Sequence, residues 1–362
     1  MDKIHQKNNK HLKNVQHGRN DWFDFLRIMA SFAVIFSHVI YNNWSNKSLL
    51  PLSLRWQLAN CASSLFCWCV GVFVLLSGIA FMMPDRTITF KYMFKKAVRL
   101  LMYLVVWNLF YQLSSMAVTG KINLSEFSAR MLDMIKGYPY YHLWFLCTLP
   151  AIYILVVPLR KILSLLNKAG AYVFLIAVFL CLNVLPFVLE LSGKNILGTS
   201  AWTKSVLYIP LFAYGYIISK YPPSKPLRTA IYFLGITGLV MIPVFNTLLL
   251  PDKPITVLVF GAPNSPSNIL VAAAIVLFFK KVSEKKVMGE KLLKFVSPVK
   301  ECCFGIYLCH DAFIIVSKTL FGTHAINRFS LLSEIPASLI IFLLSFLAIY
   351  TLRKIPFMKK IT

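Results

Sequence analysis

The chain has 362 residues, of which 58% are hydrophobic and only 14% charged, and its formal net charge is +25. Soluble globular proteins carry roughly 25% charged residues, so this composition excludes an ordinary soluble domain. The apolar residues also form long runs, and roughly 17–25 consecutive apolar residues span a bilayer as a helix.

These runs predict an all-α protein, a polytopic transmembrane helix bundle of about ten spans. The spans lie near residues 22–41, 58–83, 100–117, 142–158, 171–191, 204–219, 229–250, 266–279, 302–321 and 335–352. Residues 1–20 are polar and rich in lysine, which predicts a disordered basic cytoplasmic tail. Residues 21–355 are predicted to form one membrane domain, and residues 356–362 a second cytoplasmic tail.

The positive charge is unevenly distributed between the two predicted sides of the membrane. If the N-terminus is cytoplasmic, the cytoplasmic segments carry most of the 38 Lys and Arg residues. This asymmetry follows the positive-inside rule and predicts a multi-pass membrane protein with both termini cytoplasmic. The charge therefore indicates orientation in the lipid bilayer, and no nucleic-acid partner is expected. The eight cysteines lack the spacing of a zinc site, so no metal is predicted.

The first predicted span contains three ionisable residues, Asp24, Arg27 and His38. Ionisable groups inside a membrane span are costly and indicate a functional site. Arg27 and His38 are eleven residues apart, which places them on nearly the same helix face about 16 Å apart along the axis. Asp24 is three residues before Arg27 and is expected to pair with it. The alternative is that the three residues anchor the helix at the two membrane interfaces.

Five segments resemble the motifs of the acyltransferase family 3 membrane proteins, in the same order. They are Asp24-Phe-Leu-Arg27 with His38, Gly71–Gly78 ending in Ser77-Gly78, Phe94-Lys95-Lys96-Ala-Val-Arg99, Tyr141-His142-Leu-Trp144-Phe-Leu, and Gly305-Ile-Tyr307-Leu-Cys-His310. Lys96 stands where arginine is common in that family. The form of the fourth segment, without an attached soluble domain, is similar to the short branch that includes the enterobacterial common antigen O-acetyltransferase.

The resemblance implies a membrane O-acyltransferase, most simply an O-acetyltransferase. It would move an acyl group from acyl-CoA to a hydroxyl of a cell-surface polysaccharide or its lipid-linked precursor. Histidine suits the role of general base because it gains and loses a proton near neutral pH, so we assign that role to His38. Arg27 is expected to hold the donor or to stabilise the oxyanion, and Asp24 to orient Arg27. No cofactor is expected to be bound; acetyl-CoA is a co-substrate.

Two further groups of residues are expected to bind the substrates. Lys95, Lys96 and Arg99 are cations suited to the phosphates of coenzyme A, or they are ordinary positive-inside residues. The acceptor-binding candidates are His142, Trp144, His310, Tyr307 and Ser77. For Trp144 and Ser77, the alternatives are an aromatic belt residue and a helix-packing residue.

Two other functions fit several buried ionisable groups in a membrane bundle. One is a transporter or exporter of a glycan or lipid intermediate, with Arg27 and His38 as a coupling relay. The other is a membrane scaffold for polysaccharide biosynthesis machinery. Transporters often contain paired halves with broken helices, and no such symmetry is visible in this sequence.

Overall fold

The structure is a computed structural model that describes residues 21–40, 52–83, 87–120, 123–249, 260–284, 290–321, 330–356 and 358. Within these residues every regular element is a helix, which confirms the all-α prediction. Both predicted tails lie largely outside the described residues. The predicted domain boundaries therefore stay predictions.

Fourteen helices, numbered in chain order, make up the described part of the chain. They are α1 (Asp21–Ile40), α2 (Leu54–Ser64), α3 (Cys69–Met82), α4 (Phe90–Thr119), α5 (Leu124–Ile135), α6 (Phe145–Leu165), α7 (Lys168–Phe179), α8 (Leu185–Leu191), α9 (Ala201–Lys204), α10 (Ile209–Lys220), α11 (Lys225–Leu249), α12 (Pro266–Ser283), α13 (Glu290–Phe321) and α14 (Ser330–Leu352). A π-helical turn, Leu180–Val184, joins α7 to α8, and a 3-10 turn, Ser205–Tyr208, precedes α10.

Eight helical segments of the described chain are long and apolar enough to cross a membrane. They correspond to eight of the ten predicted spans. The predicted span 204–219 is helical throughout, because α9, the 3-10 turn and α10 follow one another without a break from Ala201 to Lys220, but this stretch is not among the eight. The predicted span 302–321 lies within α13, a 32-residue helix that is not among the eight. A total of ten spans and the cytoplasmic placement of both termini stay predictions.

Helices α3 and α10 approach so closely that glycine is required at their contact. A Cβ on Gly78 would lie 2.9 Å from the Cα of Phe212, and one on Gly215 would lie 2.6 Å from the backbone nitrogen of Ile79. Small residues let helix backbones approach in this way in membranes. The glycine of the Ser77-Gly78 motif therefore has a packing role, and it fixes the helix that carries Ser77.

We expect Gly78→Ala to destabilise the folded protein by about 1–3 kcal/mol, because the added methyl group would overlap the backbone of α10. Reversible unfolding in detergent micelles would measure the change. Gly170→Ala is the matched control, since the three atoms nearest to its Cβ all belong to side chains, and the closest, Oδ1 of the helix-capping Asn167, is 3.3 Å away. Equal stability of the two variants would contradict the packing role of Gly78.

Helix α13 is held between α4 and α14. A Cβ on Gly305 would lie 2.6 Å from Cγ2 of Ile349, so this glycine allows α14 to pack against α13. On the side of α4, the Tyr111 hydroxyl donates a hydrogen bond of 2.7 Å to the carbonyl oxygen of Leu308. These two contacts fix the segment of α13 that carries Tyr307 and His310.

Candidate active site

A cavity of about 420 Å³ lies between α1, α3, α4, α6 and α13. Eight of the eleven residues that the sequence singled out line it: Arg27, His38, Ser77, Lys96, Arg99, His142, Trp144 and Tyr307. These residues come from all five motifs, so the structure brings together segments that are far apart in the chain. Lys95, Asp24 and His310 are not among the lining residues.

Each helix presents one face to this cavity. Arg27, Val34 and His38 line it from α1, and their spacing of seven and four residues keeps them on one side of the helix. The structure thus confirms the shared face predicted for Arg27 and His38. On α4 the lining residues begin with Lys96 and Arg99, and Lys95 points to the exposed surface instead. The geometry therefore does not support Lys95 as a donor-binding residue at this cavity.

One end of the cavity is cationic. Asp24 Oδ1 lies 4.0 Å from the Arg27 guanidinium, and Asp24 Oδ2 accepts a hydrogen bond of 2.9 Å from Lys300 Nζ. The expected Asp24–Arg27 pair therefore exists, but Lys300 is the closer partner of the carboxylate. The Arg27 guanidinium also lies 4.6 Å from the centre of the Phe23 ring. Both contacts direct the Arg27 side chain toward the N-terminal end of α1, away from His38.

Three imidazole rings from three segments of the chain lie together at the other end of the cavity, and those of His38 and His142 line it. The ring of His38 stacks on that of His310, with 5.3 Å between centroids and 25° between planes. The His142 ring lies 5.1 Å from His310 and 6.4 Å from His38, measured between centroids. His142 and His310 are fully buried. No group of His, Cys, Asp or Glu within the described residues is placed to hold a metal ion.

Hydrogen bonds to the backbone fix the ring of His310 and the chain segment that carries His142. The Tyr307 hydroxyl donates to the carbonyl oxygen of His142 at 2.5 Å, which joins α13 to the turn before α6. His310 Nδ1 lies 2.6 Å from the carbonyl oxygen of Tyr307. Because a carbonyl only accepts, Nδ1 carries the proton and Nε2 carries the lone pair. That Nε2 makes no hydrogen bond within the described part of the chain.

Ser77 and Trp144 also line the cavity. The Ser77 hydroxyl donates to the Phe73 carbonyl oxygen at 2.9 Å, one helical turn earlier. The Trp144 ring stacks on Tyr208 at 6.1 Å between centroids. Trp144 thus has a fixed orientation, and its second face is a flat apolar surface of the kind that packs on a sugar ring.

Comparison with known proteins decides the family. The family described as acyltransferase domain matches residues 20–354, nearly the whole chain. The chain belongs to this acyltransferase family. No curated protein and no solved structure shows a significant match to the chain. The membership agrees with the resemblance to acyltransferase family 3, and together with the eight apolar helices it makes the chain a multi-pass membrane acyltransferase.

Asp311 belongs to the histidine end of this acyltransferase, although the sequence did not place it in the site with a defined partner. It is 2% exposed, and one carboxylate oxygen accepts a hydrogen bond from the Tyr141 hydroxyl. The other oxygen lies 3.9 Å from Nδ1 of His142. Asp311 therefore joins α13 to the turn that carries His142. The signal in the sequence was its position directly after the Gly-Ile-Tyr-Leu-Cys-His segment.

Lys300 is a cavity-lining cation that sequence reasoning missed, because it was taken only as a positive-inside charge. It lines the cavity from α13. Counting back from His310, the positions Tyr307, Phe304 and Lys300 recur every three or four residues and so share one helix face. This periodicity was the signal that could have found it.

Proposed function

We propose that this acyltransferase moves an acyl group, most simply acetyl, from acyl-CoA to a hydroxyl of a cell-surface polysaccharide or its lipid-linked precursor. One observation carries the proposal: a single cavity has cations at one end and a cluster of imidazoles at the other. Acyl transfer from acyl-CoA needs both, a site for an anionic donor and a base for the acceptor hydroxyl. The likeness to the enterobacterial common antigen O-acetyltransferase supports acetyl as the group and a glycan as the acceptor.

In the proposed reaction His38 takes the proton of the acceptor hydroxyl, and the oxygen attacks the thioester carbonyl. The tetrahedral intermediate then collapses with cleavage of the C–S bond, and His38 returns the proton to the departing thiolate. The ester and free coenzyme A are the products, and no proton is gained or lost overall. His142 lines the cavity beside His38, and His310 stacks on His38 from behind the lining.

The geometry favours donor binding over oxyanion stabilisation as the role of Arg27. Its α-carbon is about 16 Å from that of His38 along α1, and its guanidinium is directed toward Asp24. A charge in that position is far from the thioester carbonyl that is attacked near His38. The pantetheine arm of coenzyme A, a long linear chain, would span this separation with its phosphates among the cations and its thioester near the imidazoles.

The proposed orientation places the cationic end in the cytoplasm, where acyl-CoA is made, in a bacterial plasma membrane. The deciding experiment supplies the purified protein in lipid nanodiscs with labelled acetyl-CoA and membrane glycans, and follows label into the glycan fraction. Ester-linked label that mild alkali releases is expected. Transfer of label from succinyl-CoA but not from acetyl-CoA would show that the acyl group is succinyl rather than acetyl. The exporter would be supported by two results together: no label is transferred from either donor, and glycan crosses the membrane of vesicles that contain the protein.

On α4 the structure predicts different effects for two neighbouring lysines. We expect Lys96→Gln to raise the KM for acetyl-CoA about tenfold, because it removes a charged contact to phosphate worth about 1.5 kcal/mol. Lys95→Gln should change that KM less than twofold, since Lys95 lies on the exposed face. Steady-state kinetics of both variants with varied acetyl-CoA would test this. Similar KM increases for the two variants would contradict the placement of Lys96 in the cavity lining and of Lys95 outside it.

A further inference from the structure

The cationic end of the cavity contains more charge than the α4 motif supplies. Four lining residues are cationic, Arg27, Lys96, Arg99 and Lys300, and one lining residue, Glu301, is acidic. The Glu301 carboxylate lies 3.3 Å from an Arg353 guanidinium nitrogen outside the lining, so it has a cation of its own. The lining therefore has a clear excess of positive charge, which fits a ligand with several negative charges.

Lys300 and Arg99 lie on neighbouring helices at the same end of the cavity. The rings of Tyr103 on α4 and Phe304 on α13 are 5.3 Å apart between centroids. Further along both helices, Tyr111 bonds to the Leu308 carbonyl, so α4 and α13 run in the same direction. Arg99 is four residues before Tyr103 on α4, and Lys300 is four residues before Phe304 on α13, which is about one helical turn in each case. Both side chains thus lie one turn nearer to the cationic end.

Asp24 holds the Lys300 ammonium group on the cavity wall. The hydrogen bond of 2.9 Å leaves the Lys300 side chain 37% exposed, whereas Asp24 is 17% exposed. The carboxylate also lies 4.0 Å from Arg27. One partly buried carboxylate between two cations holds Lys300 at the cavity and leaves the group of three with a net positive charge.

We propose that Lys300 binds a phosphate group of the acyl-CoA donor together with Arg99, and that Asp24 is the positioning residue for Lys300. This rests on the proposed function. It deepens that function because it assigns part of the donor's phosphate site to α13, the helix that also carries Tyr307 and His310. The donor end and the acceptor end of the site then share two helices, α1 and α13.

Binding of coenzyme A and of pantetheine, which lacks every phosphate, tests the role of Lys300. The protein would be studied in phosphatidylcholine nanodiscs, which contain no anionic lipid. Lys300→Gln is expected to weaken coenzyme A binding about tenfold and to leave pantetheine binding within twofold. Lys300→Arg should retain coenzyme A affinity within about threefold. Lys161→Gln, on an exposed part of α6 outside the cavity, is the matched control and should bind as the wild type does.

The outcomes separate the new inference from the proposed function. Equal losses for coenzyme A and pantetheine in Lys300→Gln would assign Lys300 a structural role and overturn the inference, as would unchanged coenzyme A binding. An effect of Lys300→Gln seen only after anionic lipid is added would make a lipid headgroup the phosphate ligand and would also overturn it. If the wild type binds no coenzyme A, the proposed donor itself is wrong.

Discussion

Replacing His38 by glutamine is expected to lower kcat for acyl transfer by about 10²- to 10⁴-fold, the range that a general base contributes. Glutamine is close to histidine in size and polarity but cannot take up a proton at neutral pH. His38 lines the cavity at the end opposite the cations, stacked on His310. The loss would be measured as the initial rate of labelled acetyl transfer at matched protein concentration, with both substrates saturating.

Two controls make the His38 result specific. Coenzyme A binding by His38→Gln should equal that of the wild type, because the cations lie at the other end of the cavity. His310→Gln should lower kcat less, since the imidazole of His310 is held through Nδ1 by the Tyr307 carbonyl and is not among the lining residues. A larger loss in His310→Gln than in His38→Gln would move the general base from α1 to α13.

The sequence predicted the helix class and eight spans because hydropathy alone is sufficient for these. It did not show how each apolar helix is surrounded. Most residues of α10 are buried, and α10 packs against α3 at Gly78 and Gly215. Lipid tails and buried leucines are equally apolar, so composition does not tell the two environments apart.

The candidate site was predictable wherever its residues recur with the period of a helix. Arg27 and His38 share a face of α1, as their spacing requires. On α4 the spacing was not sufficient, because Lys95 and Lys96 are four and three residues before Arg99 and both lie near its face, yet only Lys96 lines the cavity. What the sequence could not supply were contacts between helices. The closest partner of Asp24 is Lys300, 276 positions away in the chain, and Asp311 meets Tyr141 only after α13 packs beside the turn before α6.

The second large effect is expected at Arg27, where substitution by glutamine should act on donor affinity. We expect the KM for acetyl-CoA to rise about 10- to 100-fold with kcat changed less than threefold, because a charged contact to a phosphate contributes about 1.5–3 kcal/mol. Arg27→Lys should recover part of the affinity, since the charge is kept but the paired hydrogen bonds of the guanidinium are lost.

The same kinetics decide between the two roles considered for Arg27. An oxyanion-stabilising residue would lower kcat by about 10²- to 10³-fold and leave the KM for the donor almost unchanged. Asp24→Asn separates direct binding of the donor by Arg27 from the orientation of Arg27 by Asp24. Because Asp24 lies closer to Lys300 than to Arg27, its loss should raise the KM less than the loss of Arg27 does. A kcat effect at Arg27 would require the thioester to lie at the cationic end. The distance of about 16 Å from His38 would then exclude His38 as the base for that carbonyl.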